Sequence, residues 1–319
     1  MFRNTAIICL ILIALAGCGA ASREVSGSNA SSAEHTVISD SGQNEVNGIP
    51  MNDSAAVVTD TVVDVFAEPD VKSERITQVF YNQAVSMLNE DGGWIRLAAA
   101  DGSKGWVRAK FIDRNISSIY GRTFTHRIIV TGKEKSIFSD PLAGITVKDA
   151  VMSTVFYAFN NSGNAYEVYL PGNMTGWLRG SGIIHIGLSA DVPVTSGKDF
   201  AASALKFKGT SYLLNGLSTM GIDSPGMIHI CSKINGLNLS RDLNSLMHNG
   251  EEIALEEISA GDLVFLGLPE KENTIESVGI CLGNGQYIHA SRTSGYVRLD
   301  GLNESGSDGK PVFARRIFR

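Results

Sequence analysis

Two phrases, "WIRLAAADGSKGWV" at residues 94–107 and "AYEVYLPGNMTGWL" at residues 165–178, share one plan. Each runs from an aromatic-bearing strand through a glycine-containing turn to Gly-Trp and an aliphatic residue. This plan constrains the fold more than any other feature of the chain. Short strands punctuated by glycine turns leave exposed edges unless the sheet closes on itself, so they favour small barrels. The tract from Ala55 to Asp113 alternates in this way throughout, as in "VVTDTVVDVF". The self-similarity predicts a tandem pair, with Trp106 and Trp177 in equivalent places. The two units are placed at residues 54–115 and 116–190. Trp94, Trp106 and Trp177 are read first as barrel packing, with ligand contact as the competing role.

Beyond about Thr195 helices precede strands. "GKDFAASALKFKG" and "PGMIHICSKINGL" have helical periodicity, and "RDLNSLMHNG" predicts a third helix ended by Gly250. Then come "GDLVFLGL", "SVGICLGNGQYIHAS" and "GYVRL", all strand-like, with Gly283-Asn284-Gly285 as a hairpin turn. This order describes an α+β domain over residues 191–319. Within it, "GIDSPGMIHI" reads as a turn, an N-cap at Asp223-Ser224 and Pro225 in the first helical position. The start of a helix also stabilises developing negative charge. Ser224 is therefore either an attacking group or a cap.

The words of this tract carry a resemblance. "GTSYLLNGLSTMGIDSPG", "LNLSRDLNSLMHNGEEI", "AGDLVFL" and "SVGICLGNGQYIHAS" follow in order the motifs of the NlpC-type family of papain-like cell-wall cysteine peptidases. The two β units resemble bacterial SH3-like domains, which flank such enzymes and bind wall peptides or shape a neighbouring site. The resemblance implies two all-β SH3-like barrels followed by an α+β papain-like domain. The combination is most similar to the subgroup that cleaves stem peptides between γ-D-glutamate and the diamino acid. Carried over by position, the family's nucleophilic cysteine falls on Ser224, its base histidine on Ser277 and its orienting histidine on His289. The pocket tryptophan falls on Leu214 and the serine after the nucleophile on Pro225. Tyr212 and Asp223 are kept, at positions that in the subgroup help to hold the substrate's free amino end.

Elementary chemistry points the same way. A serine hydroxyl needs a neighbouring base to attack. His229 lies five residues along the helix, about 140° round from Ser224. Losing a nucleophile or its base from a comparable triad costs on the order of 10⁶ in turnover. Ser224 is therefore read as a cap. A serine hydrolase would need Ser224, His289 and a carboxylate such as Glu276 to regroup, and strand alternation sets Glu276 opposite Ser277.

At the N-terminus, Arg3 and "AIICLILIALA" form a positive start and an apolar run too short to span a bilayer comfortably. The run closes on "LAGC", which resembles a bacterial lipoprotein lipobox. That implies a signal peptide over residues 1–17, containing Cys9, and lipidation of Cys18; an ordinary secretory signal cut slightly later is the alternative. Residues 18–53 are rich in Ser, Ala, Asn and Gly, the composition of a flexible linker reaching roughly 30 Å. No later run is long and apolar enough for a transmembrane helix. The expected location is the cell envelope, lipid-anchored at the outer membrane or periplasmic face of a Gram-negative cell, or at the outer face of a plasma membrane.

The formal net charge is −6 and no Lys/Arg cluster stands out, which argues against a nucleic-acid partner. The histidines are scattered without ligand spacing, so neither a metal nor a cofactor is expected. The Glu251–Glu257 acidic cluster reads as a solvated loop face. Cys231 and Cys281 lie about 10.5 Å and 13 Å along their elements from Ser224 and Ser277, which suggests a contact and raises a disulfide as an alternative to two buried thiols. Three functions follow: a non-catalytic binder of peptidoglycan stem peptides, a γ-D-glutamyl-diamino acid endopeptidase using Ser224, and an adaptor lipoprotein with a protein partner.

Overall fold

The computed structural model describes residues 36–37, 45–268, 274–304, 306 and 308–318. The expected signal peptide, Cys18 and most of the expected linker lie outside them. The first unit is a seven-stranded antiparallel sheet: β1 (Ala55–Val58), β2 (Val62–Phe66), β3 (Arg75–Phe80), β4 (Ala84–Asp91), β5 (Trp94–Ala98), β6 (Lys104–Arg108) and β7 (Ile112–Asp113). Its strands lie in the order β7-β1-β4-β5-β6-β2-β3. The second sheet comprises β8 (His126–Val130), β9 (Glu134–Phe138), β10 (Thr146–Val151), β11 (Val155–Ser162), β12 (Ala165–Leu170), β13 (Met174–Arg179) and β14 (Ile183–Gly187). Its order, β10-β9-β13-β12-β11-β8-β14, is the first order read from the other end.

The repeat extends to single pairs. Trp106 pairs with Phe66, and Trp177 with Phe138, at the same junction of each sheet. The glycine before each tryptophan has a steric cause. A Cβ on Gly105 would meet the carbonyl oxygen of Phe66 at 2.5 Å, and one on Gly176 would meet Ile137 Cγ2 at 2.5 Å. Trp94 is buried, with the Arg108 guanidinium 4.1 Å from its ring centre, while Trp106 and Trp177 are half-buried.

The linker expectation fails at its C-terminal end. Residues 36–37 pair with 123–124, and Glu45–Val46 pairs with Ile49–Pro50 around an Asn47-Gly48 turn in which both residues have positive φ. Val46 and Ile49 are buried against Ile119, Phe124 and Tyr157. The Asn-Gly dipeptide flanked by aliphatic residues is a hairpin signal that the Ser-rich composition hides.

The third unit begins with α1 (Gly197–Leu205), capped by a reciprocal Ser196–Asp199 box. Next come α2 (Ser224–Ile234) and a single-turn α3 (Leu243–Leu246). The third helix is thus shorter than its sequence suggests and ends before Gly250. That glycine instead has φ +72 and lies so close to the chain at Arg316 that an added Cβ would sit 2.2 Å from its carbonyl oxygen. A six-stranded antiparallel sheet follows: β15 (Glu251–Ile253), β16 (Leu263–Gly267), β17 (Ile275–Gly283), β18 (Gln286–Ser291), β19 (Tyr296–Gly301) and β20 (Lys310–Arg316), in the order β15-β20-β16-β17-β18-β19. Glu251–Ile253 is therefore an edge strand rather than a loop, because the last strand folds back to pair with it. Gly283-Asn284-Gly285, all at positive φ, turns β17 into β18 as the sequence predicts.

One apolar cluster crosses all three units. Phe80 of the first sheet and Ile129, Val151 and Met152 of the second pack with Phe200, Met227, Ile228 and Phe265 of the third. Cys231 belongs to this cluster. Cys281 pairs in register with Tyr287, whose ring packs on the other face of the sheet with Val264 and Leu266. Both thiols are buried and free, which corrects the expected contact: the strand turns Cys281 away from the helix. Among the described residues no helix is long and apolar enough to cross a membrane.

Candidate functional site

Helix α2 starts one residue earlier than the sequence suggests, and this reassigns its cap. The N-cap is Asp223, whose Oδ1 accepts from the Gly226 N–H at 2.8 Å; Ser224 is the first helical residue and Pro225 the second. Ser224 is therefore not the cap. Its hydroxyl instead reaches the backbone of β18, donating to the Ala290 carbonyl at 3.1 Å and accepting from the Ala290 N–H at 2.9 Å. The Ser277 hydroxyl donates to it at 3.1 Å.

These bonds have a topological reason. Strand β17 pairs with β18 from Gly283 as far as Ile280, and no pairing continues to Ser277. Ala290 thus lacks a β17 ladder partner, and the Ser224 oxygen supplies both a donor and an acceptor to it. A hydroxyl has one proton and two lone pairs, and all three are used. At 3 % exposure Ser224 gives its proton to an amide carbonyl, and the side chain that bonds it, Ser277, is a hydroxyl.

His289 is fully buried. Its Nε2 lies 2.8 Å from Asp300 Oδ2, and its Nδ1 faces Asp308 Oδ2 at 3.7 Å. Asp300 is in turn paired with Arg298 at 2.7 Å. Neither ring nitrogen bonds Ser224 or Ser277, so the three candidate catalytic positions do not form a proton relay. His229 turns elsewhere as predicted. Its Nδ1 meets the Leu239 carbonyl at 2.7 Å, and burial lowers its pKa to about 4.

A cleft of about 470 Å³ opens over the start of α2. Tyr212, Asp223, Ser224 and Ser277 line it, with Glu276 and Asp308 also on its walls. Leu214 stands at its mouth, 53 % exposed, and Pro225 is half-buried in its wall. The lining comes from residues 212–308 alone, so the barrels do not form a wall of the cleft; the first barrel abuts its supporting loop instead. Burial raises the Asp223 carboxyl above the ordinary carboxylate range, against the pull of Arg241 and of the Gly226 and Asn215 amides. Burial also raises the Tyr212 phenol, and the charges of Asp223 and Asp308 push it the same way. Burial pushes Asp308 upward too, but hydrogen bonds from Ser291 and Thr293 outweigh it and hold Asp308 low.

Arg241 is a site residue that sequence reasoning passes over. Its Nη2 lies 3.7 Å from Asp223 Oδ2, while its Nη1 donates to the Ile76 carbonyl at 3.1 Å and to Thr77 Oγ1 at 2.7 Å in the first barrel. The Arg-Asp dipeptide is visible in the sequence; the reach across 165 positions to Ile76 is not.

Comparison with known proteins agrees with this architecture. Residues 209–316 match the NlpC/P60 family and residues 61–113 the bacterial SH3 domain. The chain is 24% identical over 250 residues to a γ-D-glutamyl-L-lysine dipeptidyl-peptidase of Bacillus cereus, covering 76% of this chain and 75% of that protein. A Bacillus subtilis protein of the same name is 30% identical over 131 residues, 40% of this chain and 44% of its own. The murein DD-endopeptidase MepS/murein LD-carboxypeptidase of Escherichia coli K12 is 31% identical over 113 residues, 35% of this chain and 58% of its own. In three dimensions the fold matches the crystal structure of an NlpC/P60 family protein from Bacillus cereus with a TM-score of 0.74 at 20% identity, over 83% of this chain and 100% of that one.

Proposed function

Because this chain carries an NlpC/P60 family domain behind bacterial SH3-like regions, we propose that it binds peptidoglycan stem peptides in the cleft over α2 without hydrolysing them. The observation that carries the reading is the Ser224 oxygen, whose proton and lone pairs are all engaged by Ala290 and Ser277. In this reading Ser224 stands where the family keeps its nucleophile, and it serves there as a structural bond. Asp223 and Tyr212 still line the cleft, and their roles here are to receive the ligand's free amino end. An incoming ammonium would pair with the Asp223 carboxylate and favour its charged form, against the burial that raises its pKa. The family acts on cell walls outside the cytoplasm, and in this reading lipid at Cys18 holds the protein at the envelope.

The names of the Bacillus relatives favour the alternative, an active γ-D-glutamyl-diamino acid endopeptidase working through Ser224. Calorimetric titration with L-Ala-γ-D-Glu-meso-diaminopimelate, followed by mass spectrometry of the mixture after a day, separates the two. Saturable heat with intact peptide, lost in Asp223→Ala, is the expected result. Cleavage that disappears in Ser224→Ala overturns it in favour of the enzyme. Absence of both heat and product leaves the adaptor role and moves the search to a protein partner.

A further inference from the structure

The first barrel meets the cleft domain along the open edge of its sheet. Among the described residues strand β3 has no partner strand on its outer side, and unpaired edges of this kind are normally covered. Here the cover is the loop 213–217. Asn215 Nδ2 donates to the Arg75 carbonyl at 2.7 Å, Arg75 Nη1 donates to the Leu214 carbonyl at 3.2 Å, and the Leu217 N–H donates to Gln78 Oε1 at 2.8 Å.

The two side chains that reach across are themselves oriented by one carboxylate. Asp64 on β2 accepts from Arg75 Nη2 at 2.9 Å, lies 2.7 Å from Arg75 Nε as an ion pair, and accepts from Gln78 Nε2 at 2.9 Å. A charge-assisted bond of this kind is stronger than a neutral one and holds the guanidinium in place. With its amide nitrogen tied to Asp64, Gln78 presents its carbonyl oxygen, and not its NH₂, to the Leu217 N–H.

The loop so held turns on a left-handed residue. Asn215 has φ +59, in a region that asparagine adopts more readily than other non-glycine residues. In that conformation its backbone N–H donates to Asp223 Oδ2 at 2.8 Å. A continuous set of bonds thus runs from Asp64 through the Arg75 guanidinium to the Leu214–Asn215 peptide, whose N–H meets Asp223, while Gln78 holds the same loop at Leu217.

We infer that Asp64, in the first barrel and outside the cleft, is a positioning residue that sets the carboxylate of Asp223 for an amino-terminated ligand. The ligand part of this inference rests on the function proposed above. It explains why a barrel that contributes no lining residue is joined so closely to the site. It also makes the barrel a determinant of selectivity: the preference for a free amine over a blocked one depends on a residue that never touches the ligand.

The test uses the soluble protein with all three units and two variants, Asp64→Ala and Gln78→Met. Amide hydrogen exchange reports the loop, and calorimetry with the tripeptide and its N-acetylated form reports selectivity. The expected result is at least tenfold faster exchange at Leu217 and Asn215 with Ile95 in the barrel core unchanged, and at least a fivefold loss of preference for the free amine. Unchanged exchange at the two loop amides overturns the inference, as does equal acceleration at Ile95, which marks general loosening. Should the unaltered protein fail to bind either peptide, the proposed function falls, and exchange at Leu217 and Asn215 alone decides whether Asp64 positions the loop.

Discussion

At the scale of single residues, the position that first suggests chemistry is a structural bond. Replacing Ser224 by Ala leaves the Ala290 N–H and C=O buried with no partner. The expected loss is about 1–3 kcal/mol, read from urea unfolding. Under the proposed function Ser224→Cys alone gains no hydrolysis, because Ser277 offers no base, whereas Ser224→Cys combined with Ser277→His gives detectable cleavage of the tripeptide. A second buried group makes stability depend on pH. His229 is neutral in the fold, with a pKa lowered to about 4 chiefly by burial, and donates from Nδ1 to the Leu239 carbonyl. Its unfolded value is about 6.5. Above that value neither state takes up a proton, so stability is undiminished. Between about 6.5 and about 4 the unfolded chain is protonated first, and stability falls by about 3 kcal/mol in all as pH drops. Denaturant midpoints across this range should show the slope, and His229→Gln should flatten it. The helix tells how much of this was legible: "GIDSPG" announces a helix start, but whether Asp223 or Ser224 caps it depends on where Ala290 lies, sixty-six positions away.

Among elements, the repeat was legible because its cause is local. Gly-Trp recurs where strands pass too closely for a side chain, and the sheet orders and the Trp106–Phe66 and Trp177–Phe138 pairs agree. The two glycines are not equally replaceable. An alanine at 105 collides with a backbone carbonyl, which cannot move alone, whereas at 176 it meets mainly the side chains of Ile137 and Leu170. Gly105→Ala should cost about 1–3 kcal/mol and Gly176→Ala less; a smaller fall in melting temperature for Gly105→Ala than for Gly176→Ala would contradict this steric reading. The strand Lys310–Arg316 was not legible. Its charged and proline-containing sequence reads poorly as a strand, yet it lies between β15 and β16 because its partners sit far upstream. The Asn47-Gly48 hairpin was legible in principle, but composition averaged over a long Ser-rich stretch concealed it.

For the whole molecule, the shared apolar cluster makes one body of what the sequence divides into three. Phe80, Ile129, Val151 and Met152 are buried in one cluster with residues of the cleft domain. Lys206 donates to the Thr131 carbonyl, and Thr219 to that of Lys133, across the same boundary. Scanning calorimetry should therefore show a single endotherm for residues 45–319, with calorimetric and van't Hoff enthalpies equal. Two resolved transitions would mean that the barrels melt independently. Arg241, tied to Ile76, Thr77 and Asp223 together, belongs to this level and was invisible at the others. The covered edge of β3 also bears on inheritance. A barrel that entrusts its open strand to a neighbour's loop is no longer a portable module. Fused elsewhere, it would carry a bare edge and an exposed Phe80, so gene rearrangement can pass this barrel on only in company with the domain it serves.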